Sequence, residues 1–380
     1  MTLGPGLQRQ APQNRARLQV QPRQRLGGEG DELPRARQCP HDEGRVRRLV
    51  VAAAPDLTAR EFVEVGIRHK TDKHAAYLVG VEYSLRNIAD QIKPLISRYT
   101  PRDRFLVYCF RGGKRSRLWA DNLRTIGFEV DLLAGGWKNY RRWVRAGLDV
   151  LPRALSCRVL CGPTGCGKTR VLHELRRQGQ QVLELEGLAH HRGSLLGDLP
   201  GDAQPTQKLF DSALLDEMRK FDLSRTVWVE AESKKIGKLQ LPMALHEAMH
   251  LSPVVNIGAP MPERVKLWRE DYPHFARDPQ GMVRKLEPLK PLVGKETLTH
   301  WMALATEGRI DELFESVMVR HYDPCYRHST KRSYGPQQAT LDLALHSLEP
   351  AGLEEAVRRL IEFDAMESSA MPMGSQQSSD

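Results

Sequence analysis

Two short stretches bring together residue types that can do chemistry. Cys109-Phe-Arg-Gly-Gly-Lys-Arg-Ser116 places a thiol ahead of two glycines and three cations. Gly162-Pro-Thr-Gly-Cys-Gly-Lys-Thr169 satisfies G-x-x-x-x-G-K-[ST]. The thiol follows an apolar strand, Arg104 to Tyr108, and the FRGGKR turn leads into a helix from Ser116 to about Ile126. A helix N-terminus presents unpaired N–H groups, Arg111, Lys114 and Arg115 add positive charge, and Gly112 and Gly113 let the backbone fold around an anion. All three effects favour the thiolate. Such a loop can hold a persulfide, a selenosulfide or a phosphate leaving group. The plainer reading is a buried strand-end thiol beside a solvated basic turn. A chemical rival is also open: Cys109 and Arg115 fit the Cys-x5-Arg loop of cysteine phosphatases, although Tyr108 stands where those proteins have His.

The second stretch follows the apolar strand Cys157 to Cys161 and precedes a helix from Lys168 to Gln178, the setting its motif requires. Backbone N–H groups around Gly162, Gly165 and Gly167 would cradle a diphosphate. Lys168 would reach its outer oxygens, and the Thr169 hydroxyl would face Mg²⁺. Glu230 and Glu232 end a later strand, Thr226 to Ser233, and could serve that metal; equally they could be ordinary strand-end carboxylates.

The elements around these loops read as α/β. Helical patterns are expected over Leu57 to His69 and Lys73 to Ser97, and a strand over Phe128 to Leu133. Gly135-Gly136 is expected as a turn before a short helix carrying Trp137, Tyr140 and Trp143. This order of strand, loop, helix and strand is a parallel unit. The pattern fades from Ala146 to Ala154, which is read as a linker. Beyond the second loop, a strand is expected over Val182 to Gly187 and a helix around Gln207 to Phe221. The rest is helix-rich to about Leu360, before a disordered tail over 366–380. The divisions expected are 1–55 disordered or non-native, 56–146, 155–365 and the tail.

Composition agrees with a water-soluble chain. Of its 380 residues, 40% are hydrophobic and 27% charged, and no apolar run approaches the roughly 18 residues of a membrane span. The N-terminus lacks a signal-peptide pattern, so a cytoplasmic protein without a membrane partner is expected. A net charge of +10 favours polyanions such as nucleic acid, although much of the excess lies in the Arg-dense first 50 residues. Cys39, Cys109, Cys157, Cys161, Cys166 and Cys325 form no disulfide framework. The cluster Cys157, Cys161 and Cys166 lacks partners at zinc-finger spacing, which leaves buried or loop thiols as its better reading.

In their order, the two loops and three further blocks resemble the tRNA 2-selenouridine synthase family. The blocks are LEGLAHHRGSLLG (Leu185 to Gly197), VEAESKKIG (Val229 to Gly237) and HYDPCY (His321 to Tyr326). The resemblance covers roughly residues 60 to 330. It implies a rhodanese-like parallel-sheet domain followed by a P-loop α/β domain with a helical C-terminal part. It also implies that wobble-position 2-thiouridine of tRNA becomes 2-selenouridine, with selenophosphate as selenium donor, through an S-geranylated uridine made from geranyl diphosphate. The family's catalytic cysteine maps onto Cys109 and its phosphate loop onto Gly162 to Thr169. An enzyme that supplies selenophosphate would be a partner. A P-loop ATPase or kinase with a regulatory rhodanese domain is the alternative. The family's opening strand with its Asp-x-Arg turn is not legible before Arg60. Residues 1 to about 55 instead read like translated GC-rich sequence, so a rhodanese sheet short of one strand is expected.

Overall fold

A computed structural model of the chain describes residues 37–38, 48–53, 59–333 and 339–370. It divides into two compact units, Met1–Tyr140 and Arg141–Asp380.

In the first unit, β1 (Arg37–Gln38) pairs antiparallel with β2 (Arg48–Ala53). β2, β3 (Arg104–Tyr108) and β4 (Glu129–Leu132) then run parallel, in the order β1-β2-β3-β4. β2 corrects the expectation that residues before Arg60 supply no strand. Averaged over 55 residues the composition is polar, but Leu49-Val-Val-Ala-Ala53 is a local apolar run with two β-branched residues, and it pairs from Leu49↔Arg104 to Ala53↔Tyr108. The disorder expected of the rest of residues 1–55 lies outside the described residues.

Helices α1 (Ala59–Thr71) and α2 (Lys73–Ile96) follow. Asp72 separates them and caps α2, its carboxylate accepting the N–H groups of His74 and Ala75 at 2.8 and 3.0 Å. α3 (Lys114–Ile126) ends at Gly127 in the left-handed region, φ +109°, which glycine adopts without a Cβ penalty. Phe105, Val107, Trp119, Leu123 and Phe128 form the core between α3 and the sheet.

α4 covers Gly136–Val150 and passes into a short 3₁₀ turn, Leu151–Ala154. The expected linker at Ala146 to Ala154 is therefore helical. Val144 and Leu148 are buried, so the apolar stripe of α4 continues where the sequence pattern had faded.

The second unit holds a five-stranded, wholly parallel sheet. Its strands are β5 (Cys157–Cys161), β6 (Gln181–Leu183), β7 (Val227–Glu230), β10 (Val254–Gly258) and β11 (Ala339–Ala344), in the order β11-β10-β5-β7-β6. β5 is central and every residue in it is buried, as expected of a parallel strand covered on both faces. α5 (Lys168–Arg177) leaves the loop after β5. The strand expected over Val182 to Gly187 stops at Leu183. Leu185–Ala189 is instead the short helix α6, whose Glu186 N–H is taken by the Glu230 carboxylate at 2.8 Å. α7 (Gln207–Met218) leads to β7, and a two-stranded ribbon of β8 (Lys235–Ile236) and β9 (Leu239–Gln240) precedes α8 (Met243–Leu251).

After β10 come α9 (Met261–Asp271), α10 (Pro273–Arg277), α11 (Pro279–Leu286), α12 (Lys290–Val293), α13 (Lys295–Thr306) and α14 (Ile310–Val317). A π-helical turn, Met318–Tyr322, joins α14 to α15 (Asp323–Ser333). Trp268, Trp301, Phe314 and Met318 hold this helical part around a core of its own. The last helix, α16 (Pro350–Ala370), runs into the expected tail, so residues 366–370 are helical. Buried Arg158 on β5 reaches Asp364 at 2.7 Å and Glu367 at 2.5 Å, which fixes that end. The remainder of the tail lies outside the described residues. No helix among the described residues is long and apolar enough to cross a membrane.

Candidate functional site

The first loop closes around a sulfur. Cys109 leaves the C-terminal end of β3 and is buried. Its Sγ lies 3.3 Å from the Ser116 Oγ and accepts the Gly113 N–H at 3.2 Å. Ser116 itself bonds the Gly113 carbonyl at 3.0 Å, which orients the hydroxyl at the start of α3. Burial alone would raise the thiol's pKa. The Ser116 hydroxyl and the backbone N–H groups of Gly113, Ser116 and Arg111 outweigh it, and the thiol lies below its ordinary value.

The lowering thus comes from hydrogen bonds. Among the three cations of the loop, the Lys114 ammonium sits over the Tyr77 ring, 4.1 Å from its centroid. Arg111 is exposed and Arg115 half-buried.

A second turn holds this loop in place. The Trp137 N–H bonds the Cys109 carbonyl and the Lys138 N–H bonds the Phe110 carbonyl, both at 2.9 Å. Gly136 (φ +60°) is so close that a Cβ there would lie 2.1 Å from the Cys109 carbonyl oxygen. Gly135-Gly136 is legible in the sequence as a turn, but its packing against Cys109 has no local signal.

The second loop joins β5 to α5. Gly165 and Gly167 have φ of +79° and +88°. A Cβ on Gly162 would lie 2.4 Å from the Ile257 carbonyl oxygen, so all three glycines are required by the backbone. Lys168 Nζ donates to the Gly162 carbonyl at 2.8 Å, folding back over the loop it would serve. Burial works against its charge, but Cys166 and the carboxylates Glu186 and Glu232 reverse the effect, and its pKa is raised. Thr169 follows at the first turn of α5, half-buried. Cys157 and Cys161 are buried thiols pushed by that burial to about 11 and about 12; they are structural at neutral pH.

Two carboxylates, Glu186 and Glu232, act on Lys168, and Glu230 adjoins them. Glu230 accepts the Glu186 N–H through Oε1, while its buried Oε2 has no hydrogen-bond partner. Burial, then the Glu186 charge, pushes Glu230 up to about 8. Glu232 is hydrogen-bonded to Glu186 and is raised well above its ordinary value by burial and that neighbour. The structure therefore brings Glu230 and Glu232 to the phosphate loop and adds Glu186, which sequence reasoning left without a role. Its signal was the LEGLAHHRG block, whose Gly193 packs against Glu232; a Cβ there would lie 2.7 Å from Glu232 Oε1. Among the described residues no group of three or more His, Cys, Asp or Glu side chains is arranged to hold a metal ion by itself.

The HYDPCY block also reaches this loop. Asp323 pairs with buried Arg264, which donates to the Thr164 carbonyl, and Tyr326 hydrogen-bonds the Cys161 thiol.

Residues 155–285 match the family model described as the tRNA 2-selenouridine synthase AAA domain. The chain is 40% identical over 168 residues to a tRNA 2-selenouridine synthase of Alcanivorax borkumensis, covering 44% of this chain and 45% of that protein. It is 31% identical over 242 residues to one of Nitrosomonas europaea, covering 62% of each. It is 40% identical over 174 residues to one of Aeromonas salmonicida, covering 44% of this chain and 45% of that protein. The matched part spans about half the length of these curated relatives. Residues 155–285 are thus similar to the AAA domain of tRNA 2-selenouridine synthases.

Proposed function

We propose that the chain is a transferase that replaces the sulfur of wobble-position 2-thiouridine in tRNA with selenium from selenophosphate, through S-geranylation from geranyl diphosphate. The observation that carries this reading is Cys109. Its sulfur is held by Ser116 and the Gly113 N–H, its pKa is lowered, and the same chain carries a phosphate loop in a domain matched to the family. The first unit, on this reading, is the rhodanese-like domain.

The phosphate loop would take the diphosphate of geranyl diphosphate. As the uridine sulfur bonds to the geranyl C1, the C1–O bond breaks and charge collects on the departing diphosphate. Loop N–H groups and Lys168, released from the Gly162 carbonyl, would stabilise that charge. Mg²⁺ fits here as a co-ligand of the diphosphate. It keeps several waters and commonly takes one or two carboxylates plus phosphate oxygens. Thr169 and the unpartnered Glu230 Oε2 are the groups that would hold it, and it would supply charge neutralisation. At Cys109, the thiolate would bond to the uridine C2 as the C2–S bond breaks and the geranylthio group leaves as geranylthiol. The selenium of selenophosphate, held by the loop's backbone donors, would then displace the Cys109 sulfur, and water would take the phosphoryl group as inorganic phosphate. A cytoplasmic location and an enzyme that supplies selenophosphate belong to the same reading.

The test is mass spectrometry of nucleosides from 2-thiouridine tRNA incubated with the protein, geranyl diphosphate and selenophosphate. Geranylated and then selenated uridine are expected. Steady ATP turnover without tRNA, and no modified nucleoside, would instead support a P-loop ATPase or kinase.

A further inference from the structure

The HYDPCY block opens α15, and the residues after it have an unusual charge. From Pro324 to Leu341 the sequence contains Arg327, His328, Lys331 and Arg332 and no Asp or Glu. Arg327 and Lys331 are four apart on α15, and so are His328 and Arg332, spacings that put each pair on one side of the helix. Like charges at that spacing weaken a helix rather than support it. Arg327 and His328 are exposed, as is Arg320 in the preceding π-helical turn. Neither Arg320 nor Arg327 forms an ion pair with a described carboxylate, and the acid at the head of the helix, Asp323, is already taken by Arg264. The helix C-terminus favours cations at positions 331 and 332 through the macrodipole, but it gives no such support to Arg320 or Arg327.

The location matters as much as the charge. Asp323, the first residue of α15, holds Arg264 against the Thr164 carbonyl of the phosphate loop, and Tyr326 bonds the Cys161 thiol just before that loop. A polyanion lying along α15 would therefore reach the loop that holds the diphosphate. Among the described residues of α15 no large apolar side chain is exposed, whereas a helix that lies on a membrane surface buries an apolar face. The surface suits a sugar-phosphate backbone.

We infer that Arg320 and α15, through Arg327, Lys331 and Arg332, form a phosphate-backbone contact that lays tRNA against the phosphate loop. The inference rests on the tRNA-modifying function proposed above and adds the surface that binds the substrate. Contacts of this kind give affinity and register rather than sequence choice, and they weaken with salt.

The test uses the full chain with R327Q/K331Q/R332Q. Affinity for tRNA should fall at least about tenfold at moderate salt. The slope of log affinity against log salt should drop by about two to three, near one for each phosphate that is no longer neutralised. Binding of inorganic pyrophosphate and the melting temperature should stay close to the parent, which shows that the phosphate loop and helix persist. The charge-keeping R327K/R332K should bind tRNA within about threefold of the parent, because a lysine still meets a phosphate. Unchanged affinity and slope in the glutamine variant, with the parent binding tRNA well, would overturn this surface and leave the proposed function standing. An equal loss in the lysine variant would overturn it too, by assigning the effect to helix structure. A parent protein with no affinity for tRNA would overturn both.

Discussion

Arg264 and Asp323 are joined by two hydrogen bonds, 2.9 and 2.6 Å long, and the same guanidinium donates twice more to the Thr164 carbonyl at 2.9 and 2.7 Å. Arg264 is buried and Asp323 largely so. A helix after β10 and a helix after the π-turn thereby fix one carbonyl of the phosphate loop. Asp323→Asn keeps the shape but leaves a buried guanidinium short of its counter-charge. We predict a stability loss of about 3 kcal/mol, the scale for breaking a buried pair, and a fall in pyrophosphate affinity. Denaturant unfolding with and without pyrophosphate measures both. A double-mutant cycle with Arg264→Met should show strong coupling, since each change removes the same interaction.

Cys109→Ser should abolish selenium incorporation while leaving tRNA affinity within a few-fold, because only the thiolate is removed. The acidity of the thiol can be read directly. Its alkylation by iodoacetamide should rise with pH about a midpoint below that of an ordinary cysteine. Ser116→Ala removes the hydroxyl whose hydrogen bond with the sulfur lowers its pKa and should move that midpoint up.

Lys168→Ala removes the ammonium that now bonds the Gly162 carbonyl and would turn to the diphosphate. Geranylation should fall by at least about tenfold, roughly 1.4 kcal/mol of barrier. Geranylation rates from nucleoside analysis check it, and an unchanged rate would reduce the loop to a structural turn.

Glu230 makes a pH-dependent prediction with a definite sign. Its folded pKa of about 8 lies above the ordinary 4.5, so the folded state holds a proton that the unfolded chain releases. Stability should therefore be unpenalised below about pH 4.5, decline as pH rises towards 8, and level off above it. Glu230→Gln keeps an acceptor for the Glu186 N–H and removes the titration. The variant should match the parent near pH 5 and exceed it by a few kcal/mol near pH 9. Urea unfolding at the two pH values distinguishes this from a uniform effect.

Both loops were legible in the sequence because their residues are contiguous and each follows an apolar strand. Cys109, Gly162, Gly165, Gly167 and Lys168 needed no knowledge of the rest of the chain. Glu186 was not legible, since it meets Glu230 only after β6 and β7 have paired side by side. Arg264 was hidden for the same reason: a charged residue at a buried helix position has no periodic signature, and its partners lie 59 and 100 residues away in the chain. Gly136 read as a turn, but its approach to Cys109 depends on how β4 returns beside β3. Long-range pairing decided each of these cases.

β2 carries the last prediction. A segment of polar composition without buried contacts is deletable at a cost of less than about 1 kcal/mol. Pairing of Arg48–Ala53 along the whole of β3 reverses that expectation. β2 pairs with β1 only at Arg48 and Leu49 but with β3 from Leu49 to Ala53, and a proline within that pairing lacks an N–H for the ladder and fits strands poorly. Without β2, the edge of β3 would also be open to pairing with other chains. We therefore predict that Val51→Pro, or deletion through Ala53, lowers the stability of the first unit by about 2 kcal/mol or more, within the range of disruptive core changes. Limited proteolysis with terminal sequencing is the readout. The parent should resist cleavage between Arg48 and Ala53 and at β3, and the proline variant should be cut at both. Equal resistance in the two proteins would mean that β3 does not depend on β2 and that the sheet is complete without residues 48–53.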